Sequence, residues 1–196
     1  MRTNKRPGSA IRLTAAALLM LLSVTAQAEW RADPDDAREV AAARAIADIR
    51  ERVPRSEPFF DEAYGFAILP SVGRVGAGFG GAYGRGLVVE GERTIGTTSF
   101  WQFTSGIQAG ARWFSMVILF KDEKALEDYK SGRLQFLGQA GVAAGPWGAA
   151  GTPAYNGGVA IFAVTRFGVM AEFTVSGARF TFKPISSAEP AGDPMR

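Results

Sequence analysis

Residues 76–81, Gly-Ala-Gly-Phe-Gly-Gly, match G-x-G-x-x-G, the spacing with which a glycine loop cradles a dinucleotide pyrophosphate at a helix start. That chemistry needs a strand before the glycines, a helix opening within them and an acidic residue about 20 residues further on. Here the chain continues AYGRGLVVEGERTIG. Gly84, Gly86 and Gly91 interrupt any helix, Val88-Val89 favour a strand, and Glu90 and Glu92 arrive too early. No Gly-Lys-Ser/Thr follows, so a Walker loop fails as well. Nucleotide binding is not supported, and no cofactor is expected.

Other reactive chemistry is limited by composition. The 196 residues contain no histidine and no cysteine. The commonest general base and the commonest metal ligand are therefore missing, as are thiolate nucleophiles, thiolate metal sites and disulfides. Asp61-Glu62 and Asp122-Glu123 are carboxylate pairs adjacent in sequence. The second reads as helix capping, and neither has a histidine partner. Two carboxylates alone can hydrolyse a glycoside, but no feature points to an enzyme. No catalytic residue and no metal ligand is assigned.

The elements that would position a site follow from pattern. Arg2, Lys5, Arg6 and Arg12 precede the apolar run Ala15–Val24, and Ala26-Gln27-Ala28 offers an A-x-A cleavage site. Residues 1–28 thus read as a secretory signal peptide, with a mature start at Glu29. A run of about 10 apolar residues is short against the ~20 of a spanning helix. Four of the 22 basic residues and none of the 19 acidic ones lie in that segment, so the remainder carries 18 basic and 19 acidic residues. A strongly basic nucleic-acid binder is not implied. Export to a periplasm or envelope is expected, and without cysteine a lipoprotein anchor is not.

Asp33 as N-cap and Pro34 at N1 predict a helix running to about Val53, stopped by Pro54, with Ala42, Ile46, Ile49 and Val53 as its apolar stripe. Its mixed charge favours a surface helix docked on a core over a membrane-surface helix. Residues 57–63 suggest one helical turn. Strands are expected at 64–70, 86–90, 114–120, 157–164 and 168–182. Residues 100–113 read as a strand pair or one long bent strand with glycines at 106 and 110. Asp122 caps a second, short helix ended by Gly132. Residues 137–151 are rich in glycine and alanine, and 186–196 read as a flexible tail. The expected fold is α+β: an antiparallel, strongly curved glycine-rich sheet or barrel-like sheet with an N-terminal helix and a short second helix.

Read at period two, Gly76, Gly78 and Gly80 share one face of an extended strand, while Val75, Ala77 and Phe79 take the other. A bare glycine face suits a sharply bent sheet or close approach by backbone, helix or ligand.

Four blocks in order resemble the SYLF-domain family, a lipid-binding module: AILPSVGRVGAGFGGAYGRGLVV (67–89), GIQAGARWFSMVILFKDEKALEDYKSG (106–132), VAAGPWG (142–148) and TRFGVMAEFTVSGA (165–178). The resemblance covers about residues 36–182 and implies a non-enzymatic α+β domain, here spanning 29–185. Eukaryotic members bind phosphoinositides and other anionic lipids, often beside actin or trafficking partners. This chain departs at Thr165-Arg166-Phe167-Gly168, where members carry a Ser-Lys-Gly-like turn, and an exported protein would not meet phosphoinositides. What carries over is a phospholipid or membrane-surface partner, with no nucleic acid or nucleotide and no named protein partner. The candidate lipid-binding residues are Arg74, Gly76, Gly78, Gly80, Arg112, Lys121, Lys124 and Arg166. The aromatics Phe100, Trp101, Phe103, Trp113 and Phe114 read as core. Two alternatives remain: a small outer-membrane β-barrel, disfavoured by FSMVILF and the first helix, and a self-assembling envelope protein.

Overall fold

The computed structural model describes residues 30–133, 149–151 and 155–185; the signal segment 1–28, most of 137–151 and the tail 186–196 lie outside them. The fold is α+β. Helix α1 (Ala37–Arg52) is followed by a 3₁₀ turn (Pro54–Ser56) and a short helix α2 (Glu57–Glu62). Two very long strands come next, β1 (Gly65–Glu90) and β2 (Arg93–Phe120), then α3 (Glu123–Lys130), the short β3 (Ala149–Gly151) and a third long strand β4 (Val159–Pro184). The sheet is antiparallel in the order β1-β2-β4-β3. It is not closed, so the barrel-like form and the β-barrel alternative find no support.

The cap of α1 differs from expectation. Asp36, not Asp33, is the N-cap: its carboxylate accepts from the Arg38 backbone N–H at 2.8 Å. Pro34 stands in the preceding turn. The helix stops as expected at Val53, ahead of Pro54. At α3 the expectation holds, with the Asp122 carboxylate accepting from Ala125 N–H at 2.9 Å and Gly132 closing the end at φ +69°.

The expected short strands are halves of longer ones. β1 runs unbroken from 65 to 90 and β4 from 159 to 184. Pro70, read as a strand end, instead sits in a register shift between Leu69 and Val72. β1 is an edge strand, where a missing N–H at a bulge is tolerated. Within the row Gly76, Gly78 and Gly80, the middle glycine has a separate role. Gly78 stands alone between the pairs Ala77–Ala109 and Phe79–Ser105, opposite residues 106–108 of β2, and its φ is +74°. The alternation carries through it, with Arg74 and Ala82 buried and Val75 and Phe79 exposed, and its lack of a side chain serves a left-handed backbone at a bend. Gly106 and Gly110 of β2, at φ +143° and +130°, accompany it.

All three long strands bend near these glycines, and the sheet folds over on itself. The first arm comprises 65–77, 109–120 and 159–169; the second comprises 79–90, 93–105 and 175–184. Between the arms lies one core, in which Leu69, Val72, Phe114, Met116 and Phe120 meet Val88, Phe100, Phe180 and Phe182. Tyr129 of α3 closes its end, fully buried, its hydroxyl 2.6 Å from that of Thr98. A second core lies on the outside of the first arm, where Ala42, Ala45 and Ile49 of α1 cover Ile68, Val117, Leu119, Phe162 and Val164. FSMVILF is thus buried on both faces, as its continuous apolar run predicts. Each of these large side chains contributes about 1.5–3 kcal/mol by leaving water.

Along β1 the two arms meet backbone to backbone. A Cβ placed on Gly86 would stand 1.9 Å from the Ile68 carbonyl oxygen, one on Gly65 2.6 Å from that of Val89, and one on Gly84 2.6 Å from a Val72 methyl. At these glycines, unlike at Gly78, close approach requires the missing side chain.

Candidate functional site

Among the described helices, α1 covers the outer face of the second arm at its Leu87 end and leaves the rest open. Strand alternation places the odd-numbered residues there. In cross-strand register the rows are Arg85–Ser99–Thr181, Tyr83–Trp101–Arg179 and Gly81–Phe103–Gly177, with Leu87–Thr97–Lys183 at one end and Phe79 opposite Ser105 at the bend. The even-numbered partners, such as Ala82, Thr98, Phe100 and Thr104, are buried.

This outer face is unusual in two ways. It is apolar and open: Phe79 is 79% exposed, Phe103 75% and Trp101 47%. Phe79 and Phe103 are diagonal neighbours across the strands, close enough for aromatic side chains to share a patch. Val75 and Phe167, on the first arm's side of the same bend, are also exposed. The Trp113 and Phe167 rings stack there at 4.8 Å.

The face is also charged with one sign. Arg85, Arg179 and Lys183 are exposed on it, and no carboxylate stands at any odd position of the three strand segments. The Tyr83 and Trp101 rings pack at 4.3 Å between centroids. Arg85 lies over the Tyr83 ring, its Cζ 5.7 Å from the centroid, and its Nε donates to the Tyr83 hydroxyl. Cation and ring are held together by the i, i+2 spacing of one strand face.

A groove of about 1050 Å³ runs from this face towards α1, lined by Arg38, Tyr83, Arg85, Trp113 and Lys183 among others. Arg38 is neutralised there by Asp36, 2.6 Å away. Hydrogen bonds from Arg38 hold the Asp36 carboxyl down at about 2, and the same pairing raises the Arg38 guanidinium. The positive charge left to the groove comes from Arg85 and Lys183.

The candidate residues named from sequence are dispersed. Arg74 and Arg112 are cross-strand partners, but both are buried between the arms. Arg74 Nη1 donates to Gln102 Oε1 at 2.7 Å, and the Arg112 guanidinium lies 5.6 Å from the Phe114 ring centroid. They form a polar layer under the bend. Gly76, Gly78 and Gly80 are at the bend itself. Lys121 and Lys124 follow the opposite end of β2; Lys124 Nζ is 2.5 Å from Asp128 Oδ2. Arg166 stands under α1, its Nη1 donating to the Pro70 carbonyl at 3.1 Å. Of the aromatics read as core, Phe100 and Phe114 are buried, Trp113 is half-buried, and Trp101 and Phe103 face outward. Phe79, Tyr83, Arg85, Arg179 and Lys183 were not singled out by the sequence reading. The available signal was parity, since 79, 83, 85, 101, 103, 179 and 183 are all odd.

An open aromatic–cationic face suits the boundary between water and a lipid bilayer. Amphipathic Trp and Tyr rings lie at headgroup depth, Phe reaches the acyl boundary, and Arg and Lys meet lipid phosphates. No described helix is long and apolar enough to cross a membrane, and no group of three or more potential metal ligands occurs among the described residues.

Comparison with known proteins supplies the lineage. Residues 102–185 match the model of the family Ysc84, described as Las17-binding protein actin regulator. The chain is also similar to beta cell expansion factor A of Aeromonas veronii, 29% identical over 129 residues. That alignment covers 65% of this chain and 49% of the relative, so the chain spans about half the length of the curated relative. No solved structure matches. The matched segment contains the bend of β2, all of α3 and the whole of β4, including Trp101's neighbour Phe103 and the cations Arg179 and Lys183. Residues 102–185 are thus similar to the SYLF (Ysc84) family.

Proposed function

We propose that this chain is an exported, non-enzymatic phospholipid-binding domain that rests on anionic membrane surfaces through the outer face of its second sheet arm. One observation carries the reading: Phe79, Tyr83, Trp101 and Phe103 share an uncovered face with Arg85, Arg179 and Lys183 and with no carboxylate. The match of residues 102–185 to the family model supports it, because SYLF domains are associated with lipid binding and with actin-regulating proteins. The basic and apolar leader with its A-x-A site supports export to the periplasm or envelope. The absence of histidine and cysteine supports binding rather than catalysis.

Both attractions are sizeable. Each exposed aromatic that enters the interface contributes up to about 1.5–3 kcal/mol. Each cation at an anionic surface contributes about 1 kcal/mol, screened by salt. The test is co-sedimentation of the mature chain with vesicles of phosphatidylglycerol and of phosphatidylcholine. Binding should favour the anionic vesicles and weaken as salt rises. No binding to either composition would overturn the proposal. Mass spectrometry of the exported chain should find Glu29 as its first residue; a retained residue 1–28 segment would refute processing.

A further inference from the structure

We infer that a cleft under α1, separate from the aromatic face, is a binding site for a phosphate group. The cleft encloses about 430 Å³ and is lined by Arg44, Asp48 and Arg52 of α1, Ser115 of β2 and Arg166 of β4, with Ala41 and Ala45. The three α1 residues are spaced i, i+4, i+8, so they form one row along the helix. The sheet beneath is irregular on both sides of Ser115. In β1, Pro70 and Ser71 together occupy the interval between Leu69 and Val72, opposite Ser115 alone. In β4, Arg166 is the extra residue between Thr165 and Phe167, opposite the adjoining Phe114 and Trp113. Bulges of this kind disrupt the ladder and re-aim a side chain.

Here both bulges serve the same few atoms. The first leaves the Pro70 carbonyl to accept from Ser115 Oγ at 2.9 Å and from Arg166 Nη1 at 3.1 Å. The second supplies Arg166 itself. From the helix side, Arg52 Nη1 donates to the Thr165 carbonyl at 3.1 Å. Two guanidinium groups are thus each anchored by one nitrogen to the sheet backbone, and both residues line the cleft. Asp48 is the one carboxylate among the lining residues, 3.7 Å from Arg52, beyond hydrogen-bond length. Three guanidinium groups against one carboxylate leave the cleft positive. Arginine forks match the oxygens of a phosphate monoester or diester in bidentate geometry. A surface ion-pair row would not need two sheet irregularities to aim it.

The ligand chemistry could come from a lipid headgroup or from a soluble phosphate. The site does not rest on the membrane reading, because none of its residues belongs to the aromatic face. The test titrates the mature chain by calorimetry with inorganic phosphate and with glycerol 3-phosphate. Saturable binding to one of them is expected, at least tenfold weaker in the Arg44→Gln/Arg166→Gln double variant and unchanged in Lys124→Gln. Asp48→Asn should tighten binding several-fold, a gain that an unfolded variant cannot produce. No saturable binding of either ligand, or equal losses in the double variant and in Lys124→Gln, would overturn the inference. Competition by phosphatidylglycerol vesicles assigns the ligand to lipid, and its absence to a soluble phosphate; both results uphold the site. Failure of the aromatic face would show instead as lost vesicle binding with the phosphate titration intact.

Discussion

Replacing Gly86 by alanine tests the folded-over sheet at its tightest point. The new methyl would lie 1.9 Å from the Ile68 carbonyl oxygen, 2.8 Å from its carbon and 3.0 Å from Leu69 Cα. Cβ atoms essentially never approach closer than 3.0 Å, so the chains must separate by about 1 Å. The obstacle is backbone, and both sides are fixed by pairing: Ile68 to Val117 in the first arm, Gly86 to Thr98 in the second. Overpacking a rigid interior costs about 1–3 kcal/mol, occasionally more. Relief of the glycine entropy penalty returns only about 0.5–1 kcal/mol. With the overpacking at or above the top of its range, a net loss of about 2–3 kcal/mol is expected. At a urea m-value of about 2 kcal/mol/M the unfolding midpoint should fall by more than ~1 M. Gly91→Ala is the control, at φ +57° in a turn with no atom within 4 Å. It should lose about 1–2 kcal/mol to backbone strain alone. Urea titrations followed by tryptophan fluorescence give both midpoints. If Gly86→Ala is as stable as Gly91→Ala, the arms are not in backbone contact and the account of β1 is wrong.

Three further outcomes follow from other parts of the molecule. Gly78→Val should be destabilised by about 1–3 kcal/mol because a β-branched residue is forced to φ +74°. With no atom within 4 Å, Gly78→Asn should recover most of that loss in the same urea assay, and equal losses would refute a purely conformational role. Burial pushes the Tyr129 phenol above its ordinary value of 10.0. Its contribution to stability is therefore complete below pH 10 and declines as the unfolded chain ionises above it. Thermal unfolding from pH 8 to 11 should show a fall that is smaller in Tyr129→Phe; identical profiles would exclude this group. Phe162→Ala, fully buried beneath α1, should cost about 3–5 kcal/mol by opening a cavity, and a midpoint shift under ~1 M urea would contradict the second core.

Much of this architecture is legible locally. Asp122 and Gly132 bracket α3 because capping chemistry is short-range. FSMVILF announces a strand covered on both faces, and the glycines at 106 and 110 leave a strand pair or one long bent strand, of which the structure has the second. What escaped depends on distant pairing. Pro70 looks like a strand end until β1 is known to be an edge strand with a bulge there. Gly76, Gly78 and Gly80 look equivalent until the register places Gly78 alone in the bend. Arg74 and Arg112 look like surface cations, but folding one arm over the other buries both. The aromatic face was missed for a related reason. Alternation separates Phe100 from Trp101 by parity, yet only the second arm's closure over the first decides which parity faces inward. Arg44 and Arg166 stand 122 residues apart and share a cleft only through the docking of α1.

The most direct measurement is vesicle binding by a Trp101→Ser/Phe103→Ser double variant. Phe103 is 75% exposed and Trp101 47%, so the double variant should stay folded, with a stability loss of no more than about 1–2 kcal/mol. Losing two interfacial aromatics at about 1.5–3 kcal/mol each should weaken co-sedimentation with phosphatidylglycerol vesicles at least ~100-fold. A folded double variant that keeps the parent's vesicle affinity would contradict the claim that this face meets the membrane.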